Sequence, residues 1–364
     1  MPCAPLFGGR CVIRMMNKTK VGWIESARSL AMIAVVFNHG FGQDVFDLIG
    51  KSAVFLFFFL SAYFVPSDGR KIVNRMIALA ISYLLWNSIY GAVEVYVFHR
   101  GMPPETFLGR FFGVGKDPFN SPFWFLRDLI LFHFVWYLLQ WAGRHVSWLA
   151  AVCLIVCWIE PFRNANYVGQ TCPYWMTPFL LGLLCRTLSV EGLERCFHPA
   201  VVLPAAVFFV WCAAHYERGL HPAAWMSIAV CGTLTIAAVA FYALRFEGCK
   251  KALYFVLPPP CVFFVYALHW MPMHECHMIS DRVFGGFAAR FMPEQVTLLQ
   301  SGGLVVALLA LVFALCRIFH VMNRWVPALL KLLNAGRLPR STMTAGDFEK
   351  VVAQDKLRVD CSAR

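Results

Sequence analysis

The stretch IESARSLAMIAVVFNHGFG, residues 24–42, sets the fold class because two incompatible readings compete for it. It follows a basic arm and opens into an apolar run, as a secretory signal does. A signal peptide, however, ends in a small-residue cleavage site after an uncharged apolar region. Here Arg28 lies inside the run, Asn38 and His39 close it, and no clean cleavage site follows. The stretch therefore reads as an uncleaved first membrane helix, predicted over about 27–43. The preceding MPCAPLFGGRCVIR is apolar for an N-terminal arm, so Met15 and Met16 stand as alternative starts.

The rest of the chain repeats this pattern. Hydrophobic residues make up 59% of the sequence and charged ones 14%, with mean hydropathy +0.62. A soluble domain carries about 25% charged residues. The apolar residues cluster in blocks of roughly 20, the length that crosses a bilayer as helix. Blocks fall at about 27–43, 52–66, 76–98, 122–142, 146–160, 173–189, 199–216, 222–244, 259–280 and 298–320. They predict an all-α polytopic membrane protein of about ten transmembrane helices. A soluble enzyme, a disordered chain, a disulfide-stapled secreted domain and an outer-membrane barrel are excluded, the last because its strands would alternate apolar and polar residues.

Charge orients the spans. With the N-terminus inside, 22 Lys/Arg fall on inside segments and eight on outside loops. That asymmetry predicts both termini in the cytoplasm of a multi-pass protein of the cell inner (plasma) membrane. The expected organisation is a cytoplasmic arm over 1–22, a membrane domain over 23–320 and a cytoplasmic tail over 321–364. The net charge of +12 is spent at the ends of apolar blocks, so lipid and not nucleic acid is the partner it implies. Of the 14 Cys, most of those in the middle of the chain fall within apolar blocks, and no CxxC pair exists. Neither a structural zinc site nor a redox motif is indicated. His269, His274, Glu275, Cys276 and His277 resemble a ligand set, but Pro272 interrupts the helix and no HExxH spacing is present. No metal is expected.

An ionisable residue inside a membrane is a functional candidate by default. Arg28 and His39 are eleven positions apart, a rotation of ~1100° that falls within about 20° of whole turns. Glu25 lies three residues before Arg28, on nearly the same side. One helix face thus carries Glu25 and Arg28 near the cytoplasmic end and His39 roughly 16 Å deeper. A low cation and a deep titratable base suit an anionic carrier entering from the cytoplasm. Snorkelling by Arg28 and a packing role for His39 are the plainer explanation. Further candidates are Arg127 and Asp128 near the outer end of the fourth span, Glu94 near that of the third, Arg75, and His269. As sequence neighbours, Arg127 and Asp128 point ~100° apart and are not expected to face one partner.

These segments carry a family resemblance. IESARSLAMIAVVFNHGF resembles the opening of the acyltransferase-3 family, an acidic residue, an Arg and a small-apolar run ending in His, with Arg and His eleven apart. VFLFFFLSAYFVP (54–66), SPFWFLRDLILF (121–132), PFLLGLL (178–184) and FFVYALHWMPM (263–273) are similar to later family segments, in the same order. Ala62 stands where Gly is usual. Arg75 lacks the second Arg and the Pro that many members carry beside it.

The resemblance implies an integral membrane O-acyltransferase. It would move an acyl group, acetyl in the first instance, from cytoplasmic acyl-CoA to a hydroxyl of an envelope polysaccharide or lipid-linked glycan. It also implies His39 as the essential base or acyl acceptor and Arg28, with Glu25, as the donor-binding clamp. Arg127, His269, Glu94 and Arg75 would be auxiliary or on the acceptor side. The chemistry agrees, since a hydroxyl attacking a thioester needs a base near neutral pH and stabilisation of the oxyanion. The rival reading is a glycan or small-molecule transporter with His39 and Glu94 as relay groups. Its expected paired halves with broken helices are not evident in the sequence.

Overall fold

A computed structural model describes residues 22–41, 44–97, 99, 101–113, 118–141, 175–186, 188–215, 222–243, 246–270, 272 and 296–334. Helices dominate and no strand occurs among the described residues. In chain order they are α1 (Gly22–Phe41), α2 (Asp44–Tyr63), α3 (Gly69–Ala92), α4 (Pro104–Phe112), α5 (Trp124–Trp141), α6 (Met176–Cys185) and α7 (Val190–Glu194). There follow α8 (Pro199–Ala214), α9 (Pro222–Ala243), α10 (Glu247–Val256), α11 (Val262–Leu268), α12 (Val296–Trp325) and α13 (Pro327–Leu333). A π-helical turn, Val93–Val97, extends α3.

Among the described residues, four helices are long and apolar enough to cross a membrane: Gly69–Val97, Met226–Ala243, Glu247–Leu268 and Gly302–Trp325. A fifth results if α6 and the segment Val190–Phe197, which meet at a 118° bend, form one span. The expected span at 146–160, the N-terminal arm and the tail beyond 334 lie outside the described residues. The count of about ten spans is therefore not reached here. Helix α1 is 20 residues long and misses the apolar class because Glu25, Arg28, Asn38 and His39 sit on it. The span expected at 259–280 starts earlier, at Glu247. Its charges Glu247 and Lys250 pair at 3.9 Å on the helix itself, ahead of the interval expected from the apolar block. Pro258, Pro259 and Pro260 break this span between α10 and α11, since proline cannot donate to the helix ladder.

Small residues let the central helices close on one another, as in membrane bundles where lipid supplies no competing hydrophobic force. A side chain at Gly182 would overlap the Phe59 carbonyl, so α6 lies directly on α2. At Gly232 it would overlap Ser52, and the neighbouring Thr233 hydroxyl donates to the Ser52 carbonyl at 2.8 Å. Around these crossings pack Phe58 and Phe125, ring centroids 4.4 Å apart, with Phe132 and Phe179. The molecule closes at its C-terminal side. Phe319 of α12 meets Phe264 of α11. Beyond it α13 turns back onto α3, where Ser82 donates to the Leu332 carbonyl at 2.6 Å and Trp86 to the Leu333 carbonyl at 2.9 Å. Leu330, Leu333 and Asn334 are buried there.

Candidate functional site

Helix α1 carries its polar groups at its two ends, as the eleven-residue spacing requires. At the first, the Arg28 guanidinium pairs with the Glu25 carboxylate at 3.4 Å, one helical turn away. Arg75, three residues into the second turn of α3, stands close enough for its charge and that of Arg28 to act on each other. Its Nη1 donates to the Ser61 carbonyl at 3.4 Å, while its buried Nε meets no acceptor among the described residues. Two guanidiniums near one another with one carboxylate leave an excess of positive charge, an arrangement suited to an anion.

The other end of α1 meets the end of α11. The His39 and His269 rings lie 5.4 Å apart between centroids, tilted by 35°. Trp270 stands edge-on to His39 at 5.2 Å. His39 is half-buried and His269 is fully enclosed. His269 Nδ1 lies 2.8 Å from the Tyr266 carbonyl and 3.2 Å from that of Val265. Asp47 of α2 is within electrostatic reach of His39 and pairs with Lys51 at 2.6 Å.

The end of α11 is held by groups that sequence reasoning passed over. Tyr90 of α3 and Asn120, just before α5, both donate to the Ala267 carbonyl at 2.8 Å. Tyr266 donates to the Pro122 carbonyl and stacks on Phe123. A carbonyl in the last turn of a helix has no partner within it, and here side chains from two other elements supply one. The available signal was the Asn-Ser-Pro run at 120–122, whose turn propensity places a side-chain amide beside a helix start.

Arg127 is ion-paired within its own helix. Its guanidinium folds back onto the adjacent Asp128 carboxylate, Nη2 to Oδ1 at 2.9 Å, and donates through Nη1 to the Gly113 carbonyl at 2.6 Å. The two residues leave the helix ~100° apart, but a long flexible stem closes that angle. Among the described residues Tyr83, Phe123 and Tyr266 link the surroundings of Arg127 to His269, with ring centroids about 6 Å apart at each step. Glu94 lies half-buried on the π-helical turn after α3. The 274–277 cluster lies outside the described residues, and among the described residues no three His, Cys, Asp or Glu are grouped to hold a metal.

A family model for an acyltransferase domain, that of the acyltransferase-3 family, matches residues 21–320. The chain belongs to the acyltransferase-3 family. No curated protein and no solved structure matches it. As a member, this multi-pass membrane protein is an acyltransferase transferring groups other than amino-acyl groups, and the transporter reading falls away. The matched region of the acyltransferase takes in α1 through most of α12, with both ends of the α1 face, Arg75 and the two histidines inside it. The last residues of α12 and all of α13 lie beyond it.

Proposed function

We propose that this acyltransferase is an O-acyltransferase of the inner (plasma) membrane. It moves an acyl group, acetyl in the first instance, from cytoplasmic acyl-CoA to a hydroxyl of an envelope polysaccharide or lipid-linked glycan. The observation that carries the reading is the α1 face, with ion-paired Arg28 at one end and His39, beside a second imidazole, at the other. The separation of roughly 16 Å suits a carrier whose phosphates stay at the cytoplasmic end while its thioester reaches inward. Arg28 and Arg75 meet the phosphates as point charges and hydrogen-bond forks. At the far end the acceptor hydroxyl attacks the thioester carbonyl as His39 takes its proton. The C–O bond forms, the C–S bond breaks, and the proton passes from His39 to the departing CoA thiolate. Arg127 and Glu94 serve the acceptor side, Arg127 by holding the end of α4 at Gly113.

The test follows radiolabel from acetyl-CoA into the glycan fraction of membranes that contain the host's envelope glycans. Wild type is expected to transfer label. His39→Ala lowers the rate by roughly two to four orders of magnitude at equal expression. Arg28→Ala raises KM for acetyl-CoA about tenfold or more, the scale of one charged hydrogen bond. Transfer that survives His39→Ala unchanged would remove the base assignment.

A further inference from the structure

The acyltransferase pairs two imidazoles, and only one has a task in the reaction just described. The inference that follows rests on that reading, with His39 as the base. His269 faces two carbonyl oxygens through Nδ1. A carbonyl only accepts, so Nδ1 carries the proton, and in a neutral imidazole Nε2 is then a bare acceptor. That Nε2 is enclosed and meets no donor among the described residues. Enclosed acceptors without donors are rare because each forfeits its hydration without replacement. The ring cannot easily turn to relieve this, since Tyr90 and Asn120 pin the Ala267 carbonyl two residues earlier and Tyr266 is tied to Pro122. Among the described residues, a neighbour able to supply a donor is His39, whose ring lies against it at 5.4 Å without a direct hydrogen bond.

We infer that His269 is a positioning residue for His39. Its Nε2 accepts the His39 ring N–H, which fixes the His39 tautomer and aims the other His39 nitrogen at the acceptor hydroxyl. When that nitrogen takes the hydroxyl proton, the resulting imidazolium keeps its second N–H on His269. When it protonates the departing thiolate, the resting pair is restored. His269 itself gains and loses no proton. Catalytic hydrogen bonds are often long before substrate arrives and shorten in the complex, in keeping with two rings in contact and not yet bonded. Trp270, edge-on to His39 at 5.2 Å, limits the directions in which that ring swings.

Two amide substitutions separate this role from a purely structural one. His269→Asn places an amide nitrogen where Nδ1 stood, keeping the bond to the Tyr266 carbonyl and removing the deep acceptor. His269→Gln reaches the position of Nε2 and offers an acceptor oxygen there. The full-length enzyme in native membranes is assayed with acetyl-CoA and, in parallel, propionyl-, butyryl- and succinyl-CoA. The kinetic constants are taken on whichever donor wild type consumes. His269→Asn is expected to lower kcat about a hundredfold with KM for the donor unchanged, while His269→Gln stays within about tenfold of wild type. A helix-end plug predicts the reverse order, with Asn tolerated and Gln damaging expression, and that order overturns the inference. So do equal kcat values in both variants and wild type. His39→Ala, assayed alongside, separates the two readings. If it retains activity, the base assignment is wrong. If it is inactive while His269→Asn is fully active, only the positioning role fails. A wild type that consumes none of the donors overturns both.

Discussion

Gly113 closes α4 at φ +65°, with the Tyr83 hydroxyl 2.7 Å and the Arg127 Cδ 3.2 Å from where a Cβ would stand. Only glycine takes that conformation without cost, and the site has no room for a methyl group. Gly113→Ala should therefore destabilise the protein by about 1–2 kcal/mol from backbone conformation alone, with steric displacement of Tyr83 adding to it. Thermal unfolding of the purified protein in detergent, followed by tryptophan fluorescence, should show a lower Tm; an unchanged Tm would mean that the loop relaxes around the methyl. Arg127→Lys removes the fork that spans Gly113 and Asp128, because an ammonium cannot serve both in the same geometry. At this scale the sequence discloses what lies along one helix. Glu25, Arg28 and His39 share a face because 3.6 residues per turn makes them do so. It does not disclose that Arg127 curls onto its own neighbour, since backbone periodicity fixes where a stem leaves the helix and not where a long side chain ends.

Between elements, the site depends on how α1, α3 and α11 are turned toward each other, and no spacing in the sequence encodes that. The meeting of His39 with His269 joins residues 230 positions apart. It depends on carbonyl caps from Tyr90 and Asn120 and on the three-proline break that lets α11 start afresh. The hydrophobic blocks were readable because burial in lipid demands apolar length. Their azimuths are set by small residues such as Gly182 and Gly232, which look the same in sequence whether they lie at a crossing or in lipid. Helix α13 was least readable: seven residues beginning with Pro327 fall far short of a span and read as tail. Its contacts with α3 make a definite prediction. Ser82→Ala removes the donor to the Leu332 carbonyl and should cost about 0.5–1.5 kcal/mol, the net worth of a hydrogen bond that is only partly buried. Trp86→Phe should cost a similar amount at Leu333. The double substitution should exceed either alone, and neither should alter KM for the donor if α13 only braces α3. A KM shift in either variant would instead connect α13 to the first turns of that helix, where Arg75 stands.

For the whole molecule, the orientation in the membrane decides which face meets the donor. The charge asymmetry of 22 Lys/Arg against eight predicts the Arg28 end of α1 at the cytoplasm and the α4 loop outside. The contacts make those two ends opposite faces of one bundle. The Ser26 hydroxyl, near the start of α1, donates to Tyr254 of α10 at 3.0 Å, whereas α4 joins the far end of α3 through the Asn87 amide on the Phe111 carbonyl at 3.1 Å. Glu105 is exposed on α4, and Cys249 is exposed at the start of α10. A membrane-impermeant maleimide applied to intact cells should therefore label Glu105→Cys above the wild-type background. Cys249, read as the loss of signal in Cys249→Ser, should contribute only after permeabilisation. If Glu105→Cys is instead silent until the membrane is opened and Cys249 labels from outside, the bundle is inverted. Arg28 and Arg75 would then face a compartment without acyl-CoA, and the donor would have to reach His39 from the α4 side, past Tyr83, Phe123 and Tyr266. Among the described residues those rings pack against one another, so an inverted result would overturn the assignment of the donor as well as the topology.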